Sequence, residues 1–459
     1  MNTLVQKFGG TSIGKADRML KVVEIVKNTL QTHRPIIVLS AMSSYIKTEG
    51  TTSRLLEAAE ASIKGGAYFK IIDLLAENHF SVVEKTITDR SIREKIEEQL
   101  ENEFKVLKSF LDAIQVIQEI SPRSQDVIIG TGEKLSALIF SGILQSQGID
   151  ATYVNLDNLI QKKFTETDHH FFAYLKENLK KRIADCGNTI PVVTGYFGFV
   201  PYGILKSIGR GYTDLTAALI AAACQAEELQ IWKEVDGIFS ADPRKVENAK
   251  VLPNITPEEA AELTYYGSEV IHPFTMEQVI KADIPIRIKN TFDPEKPGTV
   301  INPDNKGVQA GKPAIAVTVK KNISIININS DRMLMAYGFM AKVFNIFDRY
   351  GIIIDLISTS EVNISMTVDK DTRLEEALLE LEKLGNVTVF ENMAILSLVG
   401  HGMKHTVGVA GKMFSVISQE GINIEMISQG ASEINISCVI LDSDSDKALK
   451  AVYRNMLSD

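Results

Sequence analysis

Residues 4–16 read LVQKFGGTSIGKA. An apolar stretch runs to Phe8 and two glycines follow. From Ala16 the segment ADRMLKVVEIVKNTLQ spaces its apolar residues as an amphipathic helix does. Strand, glycine turn and helix in that order predict the first unit of a parallel α/β sheet. Read from Gly9, the same stretch nearly spells a P-loop: Gly, four residues, Gly14-Lys15 and then Ala16. A P-loop needs Ser or Thr at that last position to hold a metal. Ala16 has no oxygen to offer, so the match fails at a residue with a defined job. Another arrangement survives. Lys7 stands at the end of the strand, and Gly9-Gly10-Thr11-Ser12 lead toward a helix. Glycines let backbone N–H groups approach an anion at a helix start, and Lys7 adds a full charge. The same residues also fit a plain β–α turn with a solvated lysine.

The alternation continues through roughly the first 300 residues. PIIVLSA (35–41) reads as a strand and TSRLLEAAEASI (52–63) as a helix. Residues 67–120 are charged and helical, with no strand signal, and form a helical lobe. DVIIG (126–130) reads as a strand and GEKLSALIFSGILQSQG (132–148) as a helix. IPVVTGYFG (190–198), YTDLTAALIAAACQA (212–226) and ELQIWKEV (228–235) read as strand, helix and strand. The Pro-, Gly-, Asn- and Asp-rich stretch 292–313 holds a linker, placed at 302–313. Beyond it the chain repeats itself. GIIIDLISTSEVNISMTV starts at Gly351 and GINIEMISQGASEINISCVI at Gly421. Each copy reads βαββαβ, with helices at 338–351 and 408–421, which is a ferredoxin-like order. The expected domains are 1–301, then modules at 314–391 and 392–459.

Four glycine-bearing loops, each expected after a strand, gather the polar residues that could do chemistry. Besides 7–12 these are GTGEKLSA (130–137) with Glu133, GRGYTDLTAALIAA (209–222) with Arg210, Thr213 and Asp214, and EVDGIFSADPRK (234–245) with Arg244. Loops at the carboxyl ends of parallel strands are where such sheets bind ligands. Arg210 suits a carboxylate or phosphate and Glu133 an ammonium group. Asp214 is equally readable as a helix N-cap, and Glu133 as a surface charge at a helix start. Together the loops point to ATP-dependent phosphorylation of a small charged metabolite.

Composition agrees with an enzyme of ordinary size. The 459 residues exceed one domain, and 45% are hydrophobic. The net charge is -9 and no Lys/Arg-rich run occurs, which argues against a nucleic-acid surface. Cys186, Cys224 and Cys438 are isolated, so neither a disulfide framework nor a cysteine-based metal site is expected. The N-terminus lacks the pattern of a signal peptide, and the apolar run LTAALIAAAC (215–224) is too short to cross a bilayer. A cytoplasmic protein with no membrane partner is expected.

These same residues resemble aspartate kinase. KFGGTS (7–12) is similar to that family's opening signature. GEKLS (132–136), GRGYTD (209–214), KEVDGIFSADPRK (233–245) and YYGSEVIHPFTM (265–276) match its later blocks in order. The repeated C-terminal module resembles tandem ACT domains, and SSYIKTEGTTSRLL (43–56) is most similar to the fungal enzymes. The resemblance covers nearly the whole chain and implies the monofunctional form. It implies an amino acid kinase fold, a three-layer α/β/α sandwich with a mainly parallel sheet, followed by two ACT domains. It implies transfer of the ATP γ-phosphate to the β-carboxylate of L-aspartate, with Mg²⁺ bound through the nucleotide and no metal held by the protein itself. Carried over, Lys7 stabilises the transferring phosphoryl group, and Gly9, Gly10 and Ser40 surround the phosphates. Arg210 clamps the substrate α-carboxylate, Glu133 meets its ammonium, and Thr52 and Thr213 contact it. Asp214 orients Lys7 or the substrate. Trp232, Lys233, Glu234, Phe239 and Arg244 fall at the nucleotide. Phosphoryl transfer to an ionised carboxylate needs no general base, which agrees with finding no catalytic His or Cys. His272, before Pro273, reads as structural.

The sequence departs from the family at Lys233-Glu234, Phe239 and Glu269, which leaves the nucleotide contacts open. In the first repeat the resemblance assigns effector binding to Met333, Gly338, Phe339, Met340, Asp355, Thr359, Ser360 and Glu361. An effector ammonium needs Asp355 or Glu361. The expectation is feedback inhibition by an amino acid, threonine favoured over lysine, in a homodimer or larger oligomer. Other amino acid kinase fold enzymes, and a non-catalytic amino-acid sensor, stand as the competing readings.

Overall fold

The computed structural model describes all residues except 210, 266–270, 272, 304–312, 330–337, 372, 431–433 and 459, and gives no side-chain surroundings for 47, 265, 273 and 405. The chain forms two compact units. One comprises Met1–Ile238, Pro253–Pro257 and Ile271–Gly307. The other comprises Phe239–Leu252, Glu258–Val270 and Val308–Asp459.

In chain order the first unit begins with β1 (Thr3–Phe8), a 3₁₀ turn (Gly10–Ile13), α1 (Ala16–Leu30), β2 (Arg34–Leu39), α2 (Thr51–Ile63), α3 (Tyr68–Thr86), α4 (Arg90–Ile117) and α5 (Pro122–Ser146). It continues with β3 (Ala151–Val154), α6 (His169–Ala184), β4 (Ile190–Thr194), α7 (Ile204–Ser207), α8 (Tyr212–Cys224), β5 (Glu228–Lys233) and β6 (Asn254–Ile255). After α9 (Pro257–Tyr265), which apart from Pro257 belongs to the second unit, the first unit resumes with α10 (Pro273–Ile280), β7 (Ile286–Asn290) and β8 (Thr299–Ile301). The strand order is β3-β4-β2-β1-β5-β7-β8-β6. Every pairing is parallel except β7 with β8.

Successive strand residues point to opposite faces, and this divides the helices. Phe8, Ile37 and Leu39 enter a core shared with α1 through α5. The intervening Ile36 and Val38 are also buried, and α8 packs on β1, β2 and β5. Helix α8 is buried along almost its whole length, as its near-continuous apolar sequence requires. β1 lies at the point where the chain, having built β2, β3 and β4 on one side, crosses to place β5 on the other.

Two expectations change here. DVIIG is not a strand: it belongs to α5, whose start is set by Ser121 accepting from the Ser124 N–H with Pro122 in the first turn. GTGEKLSA is therefore not a loop but the middle of a buried helix. Its glycines serve close packing. A Cβ on Gly130 would lie 2.3 Å from the Tyr196 ring, and one on Gly132 2.7 Å from the Ala41 side chain. Helix α5 is also long and apolar enough to cross a bilayer, but 94% of its apolar window is buried inside the protein. The helical lobe expected at 67–120 is present as α3 and α4.

The second unit carries β9 (Ala316–Asn329), α11 (Phe339–Tyr350), β10 (Ile354–Thr359), β11 (Asn363–Asp369), α12 (Leu374–Leu381), β12 (Asn386–Val399), α13 (Val409–Gln419), β13 (Met426–Ser428), β14 (Asn435–Leu441) and α14 (Ser445–Met456). One antiparallel sheet runs β10-β11-β9-β12-β14-β13. β9 and β12 each serve both repeats. Residues 323–329 of β9 pair with β11, and 386–390 of β12 close the first repeat. Residues 393–399 of β12 open the second repeat. The expected sixth element of the second repeat does not follow α14. Its place beside β12 is taken by β9 residues 316–320, ahead of the first repeat in the chain. A helical cap on each half leaves one core on α11 and α12 and another on α13 and α14. The linker expected at 302–313 falls largely outside the described residues.

Candidate active site

The carboxyl ends of β1, β2, β4 and β5 converge with the start of α8. Lys7, in register with Val38 of β2 and Ile231 of β5, sits at mid-sheet. Its side chain faces α8, where Asp214 in the first turn pairs with it at 2.7 Å, both side chains 9% exposed. Ion pairs this buried need good geometry to offset desolvation. Asp214 makes further contacts besides this one. Gly10 has no room for a side chain, because a Cβ there would lie 2.3 Å from the Ala41 carbonyl oxygen.

A cavity of about 240 Å³ opens at this edge. Among its lining residues are Gly10, Ser40, Thr52, Glu133, Tyr212 and Glu234. Glu133 is 1% exposed. The Tyr212 hydroxyl donates to its Oε1 at 2.6 Å, while Oε2 accepts no hydrogen bond among the described residues. Burial pushes the Glu133 carboxyl up to about 7, and the Tyr212 hydroxyl, the Ala41 amide and the Lys7 charge hold it below where burial alone would take it. Thr213 is buried against the strand end, where a Cβ on Gly195 would touch it at 2.6 Å. A larger cavity, about 710 Å³, is lined by the start of α1, the 42–54 segment and α3. It includes neither Glu133 nor Tyr212, both of which line the smaller cavity.

The nucleotide-side residues are placed differently from one another. The Gly9 N–H donates to the Trp232 carbonyl at 3.2 Å and the Ser40 N–H to the Phe8 carbonyl at 3.2 Å, so these two amides are already committed. The Trp232 ring is 3% exposed and stacks on Phe8 with centroids 5.8 Å apart, which makes it core rather than an adenine platform. Lys233 ends β5, its carbonyl accepting from Thr291, and Glu234 reaches the cavity. Phe239 and Arg244 belong to the second unit. There Phe239 bridges to Val251, and Arg244 forks onto Asp242 at 3.0 and 2.9 Å. Arg210, Glu269 and His272 lie outside the described residues. Tyr212 was not among the expected site residues. Its only sequence signal was adjacency to the Thr213-Asp214 helix start. One group of metal-ligand type among the described residues, Asp168, His169 and His170, is exposed on α6, and Asp168 caps that helix by accepting from Phe171.

Of the effector residues, Gly338 begins α11 with φ of 79°, and Phe339 and Met340 pack into the module core. Gly408 starts α13 in the same left-handed conformation. Asp355 is already paired, with Lys320 at 2.8 Å, its side chain 1% exposed. Thr359, Ser360 and Glu361 are exposed at the turn after β10, where the Ser360 N–H donates to the Asn363 carbonyl. Met333 lies outside the described residues.

Comparison with known proteins agrees with this architecture. The amino acid kinase family profile matches residues 2–290, and an ACT domain profile matches 326–383 and 396–456. The aspartokinase of Candida albicans is 47% identical, over 99% of this chain and 90% of its own length. That of Saccharomyces cerevisiae is 45% identical, over 100% and 93%. Among solved structures, E. coli aspartokinase III in complex with aspartate and ADP superposes with a TM-score of 0.80 at 30% identity, over 99% of this chain and 100% of that one. The same enzyme in complex with lysine and aspartate gives 0.79 at 29%. The chain belongs to the amino acid kinase family, and within it to the aspartokinases.

Proposed function

We propose that this chain transfers the γ-phosphoryl group of ATP to the β-carboxylate of L-aspartate, giving 4-phospho-L-aspartate and opening the route to lysine, threonine and methionine. One observation carries the reading. A buried carboxylate, Glu133, faces a small polar cavity with an unpaired oxygen, next to a buried Lys7–Asp214 pair. An unpaired buried carboxylate oxygen is costly unless a ligand satisfies it, and the α-ammonium of aspartate does so. Arg210 takes the α-carboxylate, and Thr52 borders the substrate. Lys7, held by Asp214, neutralises charge that builds on the transferring phosphoryl oxygens. Gly10 lets the backbone come close to the phosphates. The acceptor carboxylate is ionised at neutral pH, so the site needs no base. The hard oxygen donors on the cavity, Ser40, Thr52 and Glu234, suit a hydrated Mg²⁺ carried by the nucleotide. When bound, that ion neutralises phosphate charge.

The paired C-terminal modules serve as the receptor for an inhibiting amino acid, threonine before lysine. With Asp355 tied to Lys320, Glu361 is the acidic group better placed to receive its ammonium. The protein acts as a homodimer or larger oligomer in the cytoplasm. The test is an ATP- and Mg²⁺-dependent hydroxamate assay with aspartate, run with and without L-threonine and L-lysine. Aspartyl hydroxamate, suppressed by threonine, is expected. No hydroxamate with aspartate would overturn the reading.

A further inference from the structure

We propose that Tyr212 is a positioning residue, whose hydroxyl fixes the Glu133 carboxylate by one oxygen and thereby presents the other to the substrate's ammonium group. The inference rests on the aspartate reading of the site and goes one step beyond it.

The geometry is specific. Tyr212 is the first residue of α8 and 3% exposed. Its carbonyl accepts from the Thr216 hydroxyl at 2.9 Å, which holds the turn. Its own hydroxyl donates to Glu133 Oε1 at 2.6 Å, a charge-assisted length. Both residues line the same cavity. Two positions on, Asp214 pairs with Lys7. The first turn of α8 therefore ties down the two groups that the reaction needs at opposite ends of the substrate: the ammonium receptor on α5 and the phosphoryl-facing lysine on β1.

A carboxylate in this position has two ways to fail. It can rotate, burying Oε2 elsewhere, or it can take up a proton and stop attracting an ammonium. The Tyr212 hydroxyl opposes both, because it donates and because it favours the ionised form. Burial raises the Tyr212 phenol well above its usual range, so it remains a donor at every working pH. Among the described residues, the other titratable groups bearing on the pair are Lys7 from β1, Tyr196 from the turn after β4, and Asp126 one helical stretch earlier on α5, and Glu234 lines the same cavity. Lys7 also favours the carboxylate, and neither Tyr196 nor Asp126 donates to it.

The test uses the full chain as wild type, Tyr212→Phe, Glu133→Gln and the double variant. Phe keeps the ring and removes only the donor. The kinetic readouts are KM for aspartate, kcat, and the acid limb of kcat/KM between pH 5.5 and 9. Expected for Tyr212→Phe is a KM raised about tenfold or more at pH 7, with kcat within about threefold, and an acid limb moved up by about one unit, a tenfold change in protonation. The double variant should match Glu133→Gln alone. A wild-type KM and acid limb in Tyr212→Phe would overturn the proposal. A second measurement does not need turnover: ¹³C titration of glutamate carboxyls, with the Glu133 signal assigned by its loss in Glu133→Gln. An upward shift in Tyr212→Phe supports the proposal, and an unmoved titration overturns it. If the wild type itself leaves aspartate unphosphorylated, the functional reading fails instead, and the titration still decides whether Tyr212 governs Glu133.

Discussion

Lys7 and Glu133 show what single residues contribute and what they cost. Lys7 is aimed at charge that appears only during transfer, so its removal should act on turnover. Lys7→Ala is expected to lower kcat by about 100-fold or more, with far-UV circular dichroism unchanged. Unaltered turnover would exclude Lys7 from the chemistry. Glu133 carries a stability signature that is separate from activity. Its carboxyl is raised from 4.5 to about 7, chiefly by burial. The folded state therefore binds the proton more tightly than the unfolded state does. The resulting stability is fully present below about pH 4.5 and is lost as pH rises through about 7. At roughly 1.4 kcal/mol per unit, this site's share is on the order of 3 kcal/mol. Glu133→Gln should remove it. Urea unfolding without ligand should find the variant gaining on the wild type as pH rises from 5 to 8. A constant difference between the two would show that Glu133 titrates normally.

Helix α5 is set by signals at its start and by its length. Its residues 126–130, DVIIG, carry an apolar run that fits a buried strand as well as a buried helix. What separates the two is the start signal at Ser121-Pro122 and the length of the segment that follows. Because α5 is packed on every side, its glycines mark contacts rather than turns. Gly130→Ala places a methyl within 2.3 Å of the buried Tyr196 ring. Overpacking of this kind costs about 1–3 kcal/mol, and the urea midpoint should fall accordingly. An unchanged midpoint would mean that the Tyr196 ring moves aside without cost. Helix α8 is apolar beyond Thr216, yet its first turn holds Tyr212 and Asp214, because the helix start lies at the sheet edge where the site opens.

The C-terminal repeat is not two beads on a string. The second repeat draws its closing strand from residues 316–320, through pairing of β9 with β12. A fragment of residues 392–459 lacks that strand and exposes the edge of β12. It should show little cooperative unfolding, whereas 314–459 should fold. Circular dichroism melts and amide dispersion in NMR spectra of both fragments would decide the matter. A well-folded 392–459 would show that the borrowed strand is dispensable. The arrangement also makes β9 and β12 common to both repeats, so strain in one module has a direct covalent path to the other.

The role given to Asp214 comes from the family resemblance, whereas the alternation of elements in the first sheet, the internal repeat, and Lys7 and Glu133 as candidate binding groups are legible along the chain. These rest on local signals: hydrophobic period, glycine placement and motif spacing act within a few residues of one another. Folding supplied what depends on distant partners. It paired Lys7 with Asp214, placed Tyr212 on Glu133, turned the Trp232 ring into the core and tied Asp355 to Lys320. It also carried residues 316–320 across to the second repeat. Each of these joins residues from different elements, and burial, which raises Glu133 and orphans its second oxygen, exists only once the elements have packed.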